Sequence, residues 1–515
     1  MLLPEIHWSL GSTYPILSAM QLLPFIAALL TFRNYRFVVA ISVLLASIEV
    51  LIAVDLFILF DRDQQAMQFF EKISLFPPLT YHVAADGITV LFMLLTSILT
   101  LMLIIYSRIR QLNPANRFIP IVFLVEASLQ GIFATQDLLW FTLLSAVELT
   151  LIGYLLMRWA TSPAEDLARL RYIQFMSTGL FLLLAGTIML GWNYADANND
   201  VWSFNLHDLA SSPVPVALQS LIFFLLFYGL AIRVPLFPLH GWLPMMSEHG
   251  TIAVTGVFLL GLKTGIYGLI RFVFPLLPDA VIRWHEYVVA FSVVGIFYAA
   301  FLALMQVNLR RLLAFAVVSH TSILIIGLFS LSNAGFQGSI LLSVNFGLAI
   351  SGMMIMTGFV YHRTRTLLFT NLGGLFDKIP FIGIAFLVGG LSIIGMPGTP
   401  GFDAVHLVTE AAIVRFGALI TIAAAVGNVI AAGYLLWAFQ QAFLSPVIVN
   451  VKKEIIRATP LELLIAGSFI AILVTTGFFS EPWLNLIESS LRPLDELYNS
   501  GALTPEITHI DVGKE

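Results

Sequence analysis

Five ionisable side chains lie inside stretches otherwise apolar enough to dissolve in lipid: Glu126, Glu148, Arg233, Lys263 and His320. A charge held at the centre of a membrane helix costs about 2.5 to 3.5 kcal/mol on insertion scales, so each retained one marks a candidate functional position. Carboxylates, a lysine and a histidine can take up and release a proton. An arginine stays protonated and can only steer its neighbours. Glu49 and Asp55 also fall in an apolar run, at a depth that the sequence does not reveal.

Two interruptions surround these residues. The stretch RVPLFPLHGWLPMMSEHG, Arg233 to Gly250, contains Pro235, Pro238 and Pro244. Each proline removes a backbone donor and clashes with the preceding turn, so a helix arriving through LIFFLLFYGLAI must break here. A broken helix at membrane depth is tolerated only where it lines a cavity or is buried in protein, and its half-helix ends then present dipoles to whatever crosses. The second interruption, GMPGTPGF from Gly395 to Phe402, carries Pro397 and Pro400.

Long apolar elements must position these groups. Of the 515 residues, 59% are hydrophobic and only 11% charged, against roughly 25% charged in soluble domains. The chain therefore reads as an all-α polytopic membrane protein. A bilayer core of about 30 Å needs about 20 apolar residues per helix, which gives about fourteen spans. They lie near 14–32, 37–60, 84–106, 118–134, 137–158, 172–192, 216–237, 250–273, 286–305, 311–331, 337–361, 380–400, 402–444 and 462–480. The segment 402–444 holds the end of a broken twelfth span and then a thirteenth.

The two breaks lie five spans apart, which predicts two inverted five-helix repeats, spans 4–8 and 9–13, each with a broken helix. The expected divisions are 1–115 for helices 1–3, 116–275 and 276–445 for the repeats, and 446–515 for a final helix and tail. Sixteen of the 25 lysines and arginines fall on one set of loops and seven on the other, which places both termini on the outer side. No basic segment precedes the first apolar run, so no removable signal peptide is expected. The net charge of -5 is spread over loops without a basic, aromatic-interleaved patch, which argues against a nucleic-acid partner. The absence of cysteine excludes disulfides and thiolate metal or iron–sulfur sites in this chain.

Several segments carry a family resemblance. VPLFPLHGWLP (Val234–Pro244), LLGLKTGIYGLIRF (Leu259–Phe272), QDLLWFTLLSAVELTLIGYLL, NLRRLLAFAVVSHTSILIIG and ADGITVLFMLLT (Ala85–Thr96) appear in the order of the antiporter-like membrane subunits of respiratory complex I and related complexes. That group includes the NuoM, NdhD and Mrp antiporter types. The resemblance covers about spans 3 to 12, and the length favours the NuoM/NdhD type.

The resemblance implies proton translocation coupled to redox chemistry elsewhere in a larger assembly. Carried over, Glu148 is the fifth-helix carboxylate, Arg233 its basic partner on the seventh helix, Lys263 the relay lysine of the eighth, and His320 a link towards the second half. Glu126 is a further candidate for the relay. Other membrane subunits, further antiporter-like ones among them, and lipids are the implied partners. Quinone, flavin and iron–sulfur clusters are expected in other subunits, with no cofactor in this chain. A bacterial cytoplasmic or thylakoid membrane is the implied location.

The sequence departs from the family pattern in three places. Arg233 stands where lysine is usual, Phe346 beside Asn345 replaces the eleventh-helix histidine, and Val405 takes the place of the twelfth-helix glutamate. Asp403, His406 and Glu410 lie at i, i+3 and i+7, on one face of the helix after the second break, and could form a displaced polar exit or a separate local site. These departures keep two alternatives open. One is a specialised NdhD-like subunit of an inorganic-carbon uptake complex, and the other is an Mrp-type cation/proton antiporter subunit.

Overall fold

A computed structural model describes residues 3–33, 37–76, 79–160, 165–250, 263–446 and 456–499. Its longer helices are numbered here in chain order. The first group is α1 (Ile16–Thr31), α2 (Val38–Leu59), α3 (Gly87–Arg110), α4 (Ala115–Ala134), α5 (Leu138–Arg158) and α6 (Glu165–Ala197). The interrupted seventh span follows as α7 (Val216–Arg233) and α8 (Trp242–His249). The described part of the eighth span, α9, runs over 263–276. Next come α10 (Pro278–Leu304), α11 (Leu309–Leu328) and α12 (Asn333–Thr364). The interrupted twelfth span is α13 (Pro380–Ile393) with α14 (Pro400–Phe416), followed by α15 (Ala418–Phe439), α16 (Pro460–Phe478) and α17 (Glu481–Asn499).

Eleven helices among the described residues are long and apolar enough to cross a membrane. The expected first span is the shorter apolar helix α1, and half of the expected eighth lies outside the described residues. Helices begin where the sequence supplies an acceptor for the orphan backbone donors of a first turn. Asp86 caps α3 by accepting from Thr89 N at 2.9 Å, Asp137 caps α5 from Trp140 N at 2.8 Å, and Asn308 caps α11 from Arg310 N at 3.0 Å.

Burial sorts these helices into an interior and a rim. Of the spanning window in α11 and in α12, 94% is buried, against 28% in α2 and in α16, whose outer faces are apolar. Glycine lets interior helices approach closely. A Cβ on Gly229 of α7 would lie 2.8 Å from Leu183 N of α6.

One addition to the helical reading is a three-stranded sheet at the end where α1, α3 and α5 begin. Strand β1 (Glu5–His7) pairs in parallel with β2 (Met67–Phe76), which pairs antiparallel with β3 (Leu79–Ala85). Helix α17 lies over the start of α3, where Gly87 N donates to Ser490 Oγ at 2.8 Å.

Candidate functional site

Both expected interruptions are present, and each is stabilised in the same way. After α7 the chain turns through Val234–Gly241, a segment that contains Pro235 and Pro238. The freed carbonyl of Ile232 accepts the indole Nε1–H of Trp242 at 3.0 Å, and that of Ala231 accepts Leu236 N at 3.1 Å. Pro244 sits within α8. At the second break Gly395 and Gly398 have φ of 75° and 85°, a region open to glycine, with Pro397 between them and Pro400 opening α14. Here the freed carbonyl of Ile394 accepts Asn428 Nδ2 at 2.7 Å, and that of Ser392 accepts Asn345 Nδ2 at 3.1 Å. Buried carbonyls at membrane depth need such partners.

Arg233 is the last residue of α7, and the break leaves its guanidinium facing α5. There it donates to Glu148, with both side chains buried. Glu148 Oε1 and Arg233 Nε and Nη1 have no hydrogen-bond partner among the described residues. A buried ion pair this sparsely bonded is a weak source of stability. Its chemistry is the placement of a negative charge that can be offset or released.

Lys263 opens the described part of α9 and is buried. Its stem lies on Gly347 of α12, where a Cβ would sit 2.7 Å from Lys263 Cε. Its Nζ lies 5.6 Å from the centroid of the Phe346 ring. The same ring stacks on His320 of α11, with centroids 5.4 Å apart and planes at 18°. Phe346 thus touches both expected relay groups, so the contact joining them is aromatic.

Past His320 the groups are neutral. His320 Nδ1 lies 3.2 Å from Ala316 O and 3.4 Å from the Tyr434 hydroxyl. Asn345 accepts from Ser392 Oγ at 2.6 Å. Val405 of α14 is half-buried and lies close to Gly395.

Other candidates fall elsewhere. Glu126 on α4 is buried beside Thr100, and its charged neighbour is Glu49 of α2, equally buried and without a hydrogen-bond partner among the described residues. Asp55 accepts from the Tyr14 hydroxyl at 3.2 Å. Asp403, His406 and Glu410 do share a face of α14, and it is the outward one: Asp403 is half-buried and the other two are exposed. The buried side of that helix is Ala404, Val408, Ala411 and Ala412.

The sequence reading missed two side-chain clusters and a cavity at the end that holds the sheet. Arg271, taken as a loop charge, pairs with Asp86 at 2.6 Å and donates from Nε to the Tyr267 hydroxyl at 3.1 Å. A cavity of about 430 Å³ opens beside that pair, lined also by Gln136, His207 and residues of α17. Near it, Glu5 of β1 binds His82 Nε2 at 2.8 Å and His207 Nε2 at 2.9 Å. Burial by itself would raise the Glu5 carboxyl, but the hydrogen bonds from His207 and His82 outweigh it and hold it at about 2.

The chain is 26% identical to NADH-quinone oxidoreductase subunit M of Rickettsia conorii over 94% of its own length and 98% of that protein's. It is 29% identical to NAD(P)H-quinone oxidoreductase chain 4 2 of Synechococcus sp., covering 96% and 95%. Its fold matches a chain of respiratory complex I from Thermus thermophilus with a TM-score of 0.85 at 23% identity, covering 94% of this chain and 99% of that one. A chain of the Mrp complex from Dietzia sp. matches with a TM-score of 0.80 at 19% identity, covering 94% and 98%. Residues 136–431, more than half of the sequence and the segment that holds both breaks, match the profile described as "NADH:quinone oxidoreductase/Mrp antiporter, TM", and the chain belongs to that family of membrane proteins.

Proposed function

We propose that this chain is a proton-translocating, antiporter-like subunit of a complex I-like NAD(P)H or ferredoxin:quinone oxidoreductase. The observation that carries the reading is the arrangement at the first break: a buried Glu148–Arg233 pair, with Lys263 buried on the helix that follows. Lysine deprived of water gives up its proton more readily than surface lysine, and a movable negative charge nearby sets when it does so. Glu148 supplies that charge, Arg233 offsets it without releasing a proton of its own, and Lys263 holds the proton in transit. His320 marks the way towards the second half, and Glu126 is a second carboxyl able to supply the relay.

In this reading residues 116–275 and 276–445 are two inverted repeats, flanked by 1–115 and 446–515. Both termini lie on the outer side of a bacterial cytoplasmic or thylakoid membrane, with lipid and other membrane subunits around the rim. Quinone, flavin and iron–sulfur clusters belong to those other subunits. Phe346 and Val405 favour one second reading, a specialised subunit of an inorganic-carbon uptake complex in which the second half does not conduct.

The test is proton movement in sealed vesicles that contain the assembled complex. Lys263→Ala and Glu148→Ala are each expected to abolish this chain's share of proton release. Unchanged release in both refutes the reading, and release that requires Na+ supports an Mrp-type exchanger instead.

A further inference from the structure

On the assumption that Lys263 carries a proton, we propose that the proton leaves towards the N-terminal face along α9, through Tyr267 and Asp86, and does not pass His320. Lys263, Tyr267 and Arg271 are spaced i, i+4, i+8, which stacks them on one face of the helix. The helix widens to a π turn at Leu269–Val273, where Arg271 meets Asp86. Such turns are frequent at functional positions.

The hydrogen bonds give this row a direction. Thr89 Oγ1 donates to Phe133 O at 2.9 Å, so in its 3.4 Å contact with Tyr267 it is the acceptor and the tyrosine donates. Arg271 Nε donates to the Tyr267 oxygen, which keeps a second lone pair open to a further donor. Arg271 Nη2 meanwhile holds Asp86 Oδ2 at 2.6 Å on the wall of the 430 Å³ cavity. Tyr267, Thr89 and Arg271 thus lie between the helix turn that follows Lys263 and the cavity, whose wall includes Asp86 and Arg271.

The step balances without any redox partner. A Lys263 N–H bond breaks, and a water molecule delivers the proton to the open lone pair of Tyr267. As that O–H forms, the original tyrosine O–H breaks towards Thr89 Oγ1; the Thr89 hydroxyl proton, directed at Phe133 O at rest, leaves as the new O–H forms, and a second water molecule carries it to the Asp86 carboxylate. Asp86 releases it to water in the cavity, leaving Lys263 neutral and Tyr267 unchanged. Arg271 keeps its proton throughout and acts as a positioning residue.

In the opposite direction the first contact is a ring that can neither accept nor release a proton: Phe346 stands against both Lys263 and His320, and the polar groups Tyr434, Asn345, Ser392 and Asn428 lie beyond it.

The experiment compares variants of the assembled complex in sealed vesicles, with a pH dye on the N-terminal side. Tyr267→Phe removes one hydroxyl and keeps the ring. Ala210→Trp adds a bulky ring to the wall of the cavity at a residue outside the row. Both are expected to lose the same share of proton release as Lys263→Ala, while His320→Leu keeps it. Wild-type release in Tyr267→Phe and Ala210→Trp together with its loss in His320→Leu overturns the proposal and places the exit in the second half. If Lys263→Ala itself releases protons normally, the underlying reading of the lysine fails and the exit route fails with it. Should Tyr267→Phe not assemble, the surface substitution Ala210→Trp still decides the question.

Discussion

Gly347→Ala separates what holds the fold from what moves the proton. The added Cβ would lie 2.7 Å from Lys263 Cε, 3.1 Å from Leu95 Cδ2 and 3.6 Å from Lys263 Nζ. Carbon atoms rest at about 3.5 to 4.0 Å, so the lysine end must retreat by about 1 Å. The atoms that move are the far end of a flexible chain and one leucine methyl, so the fold should lose no more than the roughly 1 to 3 kcal/mol typical of added core volume. A proton-transfer group is far less forgiving, because a misplacement of about 1 Å costs on the order of 10²-fold in rate. The complex carrying Gly347→Ala should therefore assemble and melt close to wild type, while this chain's proton release in sealed vesicles slows by about that factor. Gly433→Ala is the matched control, since nothing lies within 4 Å of its added Cβ. Wild-type release in Gly347→Ala would refute the argument that the seat of Lys263 on α12 sets its function.

Three further outcomes follow from the same contacts. Arg233→Met leaves the buried Glu148 carboxylate unpaired and should destabilise the protein by about 3 to 5 kcal/mol. Adding Glu148→Met should recover most of that loss without restoring pumping, and a single and a double variant that melt alike would contradict the pairing. Phe346→His places a titratable ring against both Lys263 and His320. In a Tyr267→Phe background it should restore proton release by opening the second half, whereas Phe346→Leu should not. Glu5 is held at about 2 when folded, below its ordinary 4.5. Its contribution is therefore complete above about 4.5 and is lost as pH falls through about 2. Hydrogen exchange in β1 should accelerate across that window in wild type and show no such step in Glu5→Gln.

What the sequence made legible follows from cost. Charged groups in apolar runs are expensive, so Glu148, Arg233 and Lys263 stood out, and prolines at Pro235 and Pro397 marked both breaks. The partnership of Glu148 with Arg233 rested on family resemblance, because no local rule links residues 85 positions apart. Asp86 and Arg271 stayed hidden for a similar reason. Each had an ordinary explanation, a helix cap and a loop charge, and only a 185-residue closure joins them. The sheet was missed because a search for runs of about 20 apolar residues passes over strands of three to ten residues. The depth of Glu49 was readable in principle: Ser42, Ala46 and Ala53 share its buried face, and small residues mark close helix contact. Likewise Ala404, Ala411 and Ala412 identify the packed side of α14, which turns Asp403, His406 and Glu410 outward.

The two breaks show which constraint each half obeys. Unbonded carbonyls at membrane depth cost several kcal/mol apiece, and both halves meet that demand with a side-chain N–H from elsewhere in the chain, Trp242 in one and Asn345 and Asn428 in the other. Charge answers to a different requirement. A buried acid, lysine or arginine that closes no backbone only adds cost, so it is retained where its titration or its field is used. Around the first break the chain keeps Glu148, Arg233 and Lys263, and along α9 it adds Tyr267 and the Asp86–Arg271 pair. At the second it keeps the bent backbone and fills the neighbouring positions with Phe346, Val405 and neutral amides. A half that only completed the fold would need the second set alone. On the proposed function, the first set places proton handling in the first half, with Phe346 standing where a polar route from Lys263 towards the second half would run.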